Sequence, residues 1–127
     1  MNANKKILLV DDDENLVEAM RATLLSKDYN VVVAYNGEDG VAKAKLEKPD
    51  LIILDIMMDK KHGYAACAEL KNDPVCADIP VIIISGVGEH LHESQWTHAQ
   101  GRTLLAEDFV EKPVKPAELL KLVEQMI

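Results

Sequence analysis

The residues best equipped for chemistry stand at the ends of short apolar runs. Asp11, Asp12 and Asp13 follow Ile7–Val10, Asp55 follows Leu51–Leu54, Ser85 and Gly86 follow Val81–Ile84, and Glu111-Lys112-Pro113 follows Phe109–Val110. If those runs are neighbouring strands, their ends bring three carboxylates, a hydroxyl and an ammonium into one crevice. Carboxylates crowded together raise one another's pKa, and a divalent cation relieves the repulsion. Magnesium takes hard oxygen ligands, retains several waters and is commonly held by one or two carboxylates plus phosphate oxygens. A cation held by Asp11 and Asp12 would neutralise the oxygens of a phosphoryl group passing to a carboxylate nucleophile, for which Asp55 is the candidate. Lys112 would counter the remaining charge, Ser85 would donate a hydrogen bond, and Gly86 would leave space beside the nucleophile. Asp13 is expected to cap the helix that follows it.

The elements that must position these groups alternate along the chain. Of the five short apolar runs, with Val31–Ala34 as the second, three are nearly continuous in Val, Ile and Leu, as expected of strands covered on both faces. Segments of helical period separate them. Leu16, Met20, Thr23 and Leu24 define the first; Glu38–Leu46, with Val41, Ala42 and Leu46 on one side, the second; Tyr64–Lys71 the third, stopping before Asn72, Asp73 and Pro74. Gly40 costs the second helix about 1 kcal/mol relative to Ala. Pro116 opens a last helix carrying Leu119, Leu120, Val123 and Ile127. Gly86–Leu105, with Trp96 and three of the four histidines, is read as one helix with long flanks. Such alternation predicts an α/β fold, a doubly wound parallel sheet with helices on both faces, whose ligands bind at the carboxyl ends of the strands.

Length and composition bound the function. The chain has 127 residues, enough for one domain, and a formal charge of -8, which disfavours non-specific nucleic-acid binding and acidic membrane surfaces. Aromatics make up only 4%, so the core must be aliphatic. Cys67 and Cys76 form no CxxC pair and are read as reduced packing residues of a cytoplasmic protein. No apolar run approaches the roughly 20 residues of a membrane helix. The set Lys43, Lys45 and Lys48 reads as a solvated helix face.

The pattern ILLVDDDEN at Ile7–Asn15, PDLIILDIMM at Pro49–Met58, Gly63-Tyr64, IPVIIISG at Ile79–Gly86 and DFVEKPVKP at Asp108–Pro116 resembles the response-regulator receiver domains of two-component signalling over nearly the whole chain. The resemblance implies a five-stranded sheet in the order 2-1-3-4-5, the flavodoxin-like or CheY-like arrangement. It further implies that Asp55 is the phosphoacceptor, loaded by a histidine kinase or phosphotransfer protein. Asp12 would ligate magnesium directly and Asp11 through water, with Asp55 and the backbone carbonyl of Met57 completing the set and Mn2+ as a possible substitute. Ser85 and Phe109 match the switch pair, Lys112 the phosphate-pairing lysine, and the bond before Pro113 is expected to be cis. The receiver would stand alone, without an output domain, as a monomer or weak homodimer acting on a downstream protein. It would be no enzyme beyond accepting and slowly losing its own phosphoryl group.

Two departures stand out. Asp59 replaces the usual Pro four residues after the phosphoacceptor, followed by Lys60, Lys61 and His62, and the segment between Ser85 and Lys112 is a few residues longer than usual. Met57 and Val87 match the positions that in the family flank the phosphoryl group; both are apolar and offer nothing to orient an attacking water, which predicts a long-lived phosphoryl state.

Other functions fit less well. His90 and His92 do not share a helix face and no cysteine lies near them, so zinc binding is disfavoured. An aspartate-nucleophile phosphatase could use the Asp11/Asp13 pair, but Asn15 is wrong for that motif and no cap domain is present. A flavin phosphate would meet three aspartates. The runner-up is a receiver-like binding module that works without phosphorylation, favoured by Asp59 and opposed by the complete set of acids, Ser85 and Lys112.

Overall fold

The structure, a computed structural model, describes residues 5–55, 63–85 and 108–127; of Gly63, Tyr64, Ser85, Asp108, Phe109 and Glu111 it describes the backbone alone. Met57, Gly86, Val87, Trp96, His90, His92, His98, the Asp59–His62 loop and the helix expected within Gly86–Leu105 lie outside the described residues.

Strands β1 (Lys6–Val10), β2 (Asn30–Ala34), β3 (Leu51–Asp55), β4 (Val81–Ser85) and β5 (Asp108–Glu111) form one parallel sheet in the order β2-β1-β3-β4-β5. Helices α1 (Glu14–Leu25), α2 (Gly37–Glu47), α3 (Gly63–Lys71) and α4 (Pro116–Met126) cover it. Because successive strand residues point to opposite faces, the central strands feed two cores. Leu8, Val10, Ile52, Leu54, Val81 and Ile83 pack with Val41 and Ala44 of α2 and Ala66, Cys67 and Leu70 of α3. Ile7, Leu9, Leu51, Ile53, Ile82 and Ile84 pack with Val17, Met20 and Leu24 of α1 and Leu119 and Val123 of α4. β3 is buried along its whole length, which accounts for its unbroken apolar run.

Three expectations for α2 need adjusting. Its buried face is Gly37, Gly40, Val41 and Ala44; Ala42 is exposed, and Leu46 is 78% exposed. Gly40 is also no defect, because a Cβ there would lie 2.8 and 2.9 Å from the two methyl carbons of Val10. Small residues let α2 lie close on β1, and that close approach decides which face is buried. Of the lysine set, Lys45 and Lys48 are exposed as expected, while Lys43 is half-buried. The Lys43 ammonium donates to the Val33 carbonyl, and Lys45 reaches Asp73 at 3.4 Å and Glu69 at 3.9 Å across to α3. Among the described residues no helix is long and apolar enough to cross a membrane.

Candidate functional site

Register sets the site. Val10 pairs with Leu54 across β1 and β3, so Asp11 and Asp55 occupy the next row at the carboxyl edge. Asp55 in turn pairs with Ile84, one residue before Ser85, and Ser85 pairs with Glu111. A parallel sheet therefore converts one sequence pattern, an acid after an apolar run, into a cluster. Ligand oxygens of Asp11, Asp12 and Asp55 all lie within 4.8 Å of one another.

Asp11 is fully buried and Asp55 nearly so, while Asp12 is exposed. The Lys112 ammonium, on the turn after β5, stands 3.5 Å from Asp55 Oδ1 and 3.8 Å from Asp11 Oδ2. The Lys112–Pro113 peptide bond is cis. Burial pushes the Asp11 carboxyl above its ordinary pKa, against the pull of the Asp13 N–H and the Lys112 charge. Burial alone would depress Lys112, but the charges of Asp11 and Asp55 outweigh it and hold the ammonium above its usual value. Lys112 therefore remains a cation at neutral pH.

The loop after β1 shapes this arrangement. Asp13 Oδ1 accepts from the N–H groups of Asn15 and Leu16 at 3.1 and 3.2 Å, capping α1. The Asp13 backbone N–H simultaneously donates to Asp11 Oδ1 at 3.0 Å. That second bond escaped sequence reasoning, since every residue but proline carries an N–H and only the turn geometry shows where it points. It leaves Asp11 Oδ2 buried, with no hydrogen bond among the described residues and the Lys112 ammonium 3.8 Å away. A buried anionic oxygen of that kind, beside two further carboxylates, is a donor set suited to a hard divalent cation.

The structure thus brings together Asp11, Asp12, Asp55 and Lys112. Ser85 and Phe109 lie on β4 and β5, at the carboxyl end and the middle of their strands, with only their backbones described. Met57 and Gly86 lie outside the described residues.

Residues 7–124 match the family model described as the response regulator receiver domain. The chain belongs to the response-regulator receiver family. Among curated receiver relatives, the protein PilH of Pseudomonas aeruginosa is 35% identical over 122 residues, covering 96% of this chain and 97% of PilH. The alkaline phosphatase synthesis transcriptional regulatory protein PhoP of Bacillus subtilis is 34% identical over 124 residues, covering 98% of this chain but 49% of PhoP. The receiver thus spans about half the length, or slightly less, of several curated relatives it matches. Among solved structures, the receiver domain of a Pseudomonas aeruginosa sensor histidine kinase, with a magnesium ion coordinated in its active-site cleft, superposes with a TM-score of 0.82. It is 25% identical and covers 98% of both chains. Receiver domains serve phosphorelay signalling, and this chain shares their fold.

Proposed function

We propose that this receiver is a phosphorylatable switch in which Asp55 accepts a phosphoryl group from a histidine kinase or phosphotransfer protein. The observation that supports this best is the placement of Lys112 against two buried carboxylates, Asp11 and Asp55, at the carboxyl edge of the sheet. The acids fit a hard cation: Asp11, Asp12 and Asp55 would hold Mg2+, with the Met57 carbonyl, and Mn2+ would substitute. When bound, the cation supplies charge neutralisation to the oxygens of the transferring group.

The step is a displacement at phosphorus. An Asp55 oxygen forms the new O–P bond as the donor's N–P bond breaks, and the donor imidazole leaves with its electron pair. Lys112 sits where it can pair with a phosphoryl oxygen while retaining its contact to the acids. Asp11, pinned through Oδ1 by the Asp13 N–H, is held from turning away. The product carries more negative charge and more acceptor oxygens than the carboxylate it replaces. Ser85 and Lys112, at the ends of β4 and β5, would answer that change, Phe109 would follow, and the face formed by the last two helices and the fifth strand would engage a downstream protein. The reading makes the protein cytoplasmic and no enzyme toward other substrates.

Incubation with a small-molecule phosphodonor and Mg2+, followed by intact mass measurement, tests the proposal. Wild-type protein should gain one phosphoryl mass and Asp55→Asn none. Absence of a gain in wild-type protein that demonstrably binds Mg2+ would sink the switch and favour a receiver-like module that binds without phosphorylation.

A further inference from the structure

β2 is an edge strand, and its outward side is organised for self-pairing. Asn30 N–H donates to the Lys5 carbonyl and the Ala34 carbonyl accepts from Asp11 N–H. The even-numbered residues of β2 therefore turn their backbone groups toward β1. Since N–H and C=O of one strand residue point to the same side, those of Val31 and Val33 point away from the sheet. Among the described residues, one bond reaches them: the Lys43 ammonium of α2 donates to the Val33 carbonyl.

The outward groups are self-complementary. If two copies of β2 met antiparallel about a two-fold axis at Val32, Val31 of one copy would face Val33 of the other. Each such pair exchanges both N–H···O=C bonds, giving four in all. Two of the four would use Val33 carbonyls, the atoms that Lys43 occupies. Lys43 thus removes half of the acceptors and sets a positive charge at the point where two copies would meet. The strand itself, Asn-Val-Val-Val-Ala, carries no proline and no charge, so it lacks the usual protections of an exposed edge.

We propose that the β2 edge is a latent surface for pairing with a second copy of this chain, and that Lys43 is the latch that holds it closed. Replacing the ammonium while keeping an aliphatic stem opens the latch.

Sedimentation velocity over a concentration series tests this on the full chain. Lys43→Met should self-associate about tenfold or more tightly than wild type, the effect expected from freeing two backbone acceptors. Lys43→Arg, which keeps a donor, should stay as wild type. Adding Val33→Pro to Lys43→Met should return the protein to the wild-type state, because the Val33 N–H faces outward and a proline is tolerated there. Amide exchange at Val31 and Val33 should slow in the associated form. A folded Lys43→Met, verified by circular dichroism, that associates no more than wild type overturns the proposal. So does association that survives Val33→Pro, which would place the interface elsewhere.

Discussion

Asp11 carries its carboxyl where water does not reach, and burying a charge there works against folding. Burial raises its pKa in the folded protein, so the folded state holds that proton more tightly than the unfolded chain does. The group's contribution to stability therefore falls as pH rises from its ordinary value of 3.8 through the raised value, and stays lowered at neutral pH. Asp11→Asn removes the buried charge yet keeps an oxygen for the Asp13 N–H, and Lys112 still has Asp55. At pH 7 without metal, the variant should be more stable than wild type, read as a higher Tm. If Mg2+ binds as proposed, it should raise the Tm of wild-type protein, and that rise should shrink or vanish in Asp11→Asn. Thermal melts with and without Mg2+ check both; a less stable Asp11→Asn would mean that the Lys112 pair outweighs the burial penalty.

At the scale of elements, α2 is placed by what it lacks. Gly40 lets the helix approach β1 at Val10, the residue immediately before Asp11. By propensity alone Gly40→Ala would strengthen the helix by up to about 1 kcal/mol. Its Cβ would instead overlap the Val10 methyl carbons at 2.8 and 2.9 Å, so net destabilisation of about 1–3 kcal/mol is expected. In a Val10→Ala background the added methyl has room, and the same substitution should be neutral or stabilising. Urea denaturation of the four proteins of this cycle reads the coupling. Additive effects would show that α2 slides without cost and that glycine is not needed there.

The whole molecule carries 22 acidic against 14 basic residues, so the field around the site repels anions beyond the reach of Lys112. Small phosphodonors are anions. Their rate of labelling Asp55, at saturating Mg2+, should rise about twofold to fivefold as monovalent salt increases from roughly 10 mM to 0.3 M and the Debye length shortens. Initial rates by intact mass decide it; a rate that falls with salt would show that local attraction at Lys112 governs the encounter. A protein donor with a basic face would show the opposite dependence, since the same field draws it in.

Much of this protein is written locally in its sequence. The apolar runs mark the strands because a strand covered on both faces favours apolar side chains along its middle, leaving polar ones to its ends. Asp13 was legible as a cap because its partners, Asn15 and Leu16, are two and three residues away. The acids and Lys112 announced themselves by standing after such runs, and family resemblance supplied the strand order that makes those runs neighbours. Tertiary structure decided what depends on distances between remote segments. Hydrophobicity ranked Leu46 above Gly40, whereas packing against Val10 buried the glycine and left the leucine in solvent. Lys43 looked like a solvated charge until the β2 edge put a carbonyl within its reach. The same holds for Asp11 and Asp55. Each residue's type names a possible chemistry, but only the register of β1 on β3 brings the two carboxylates beside one ammonium.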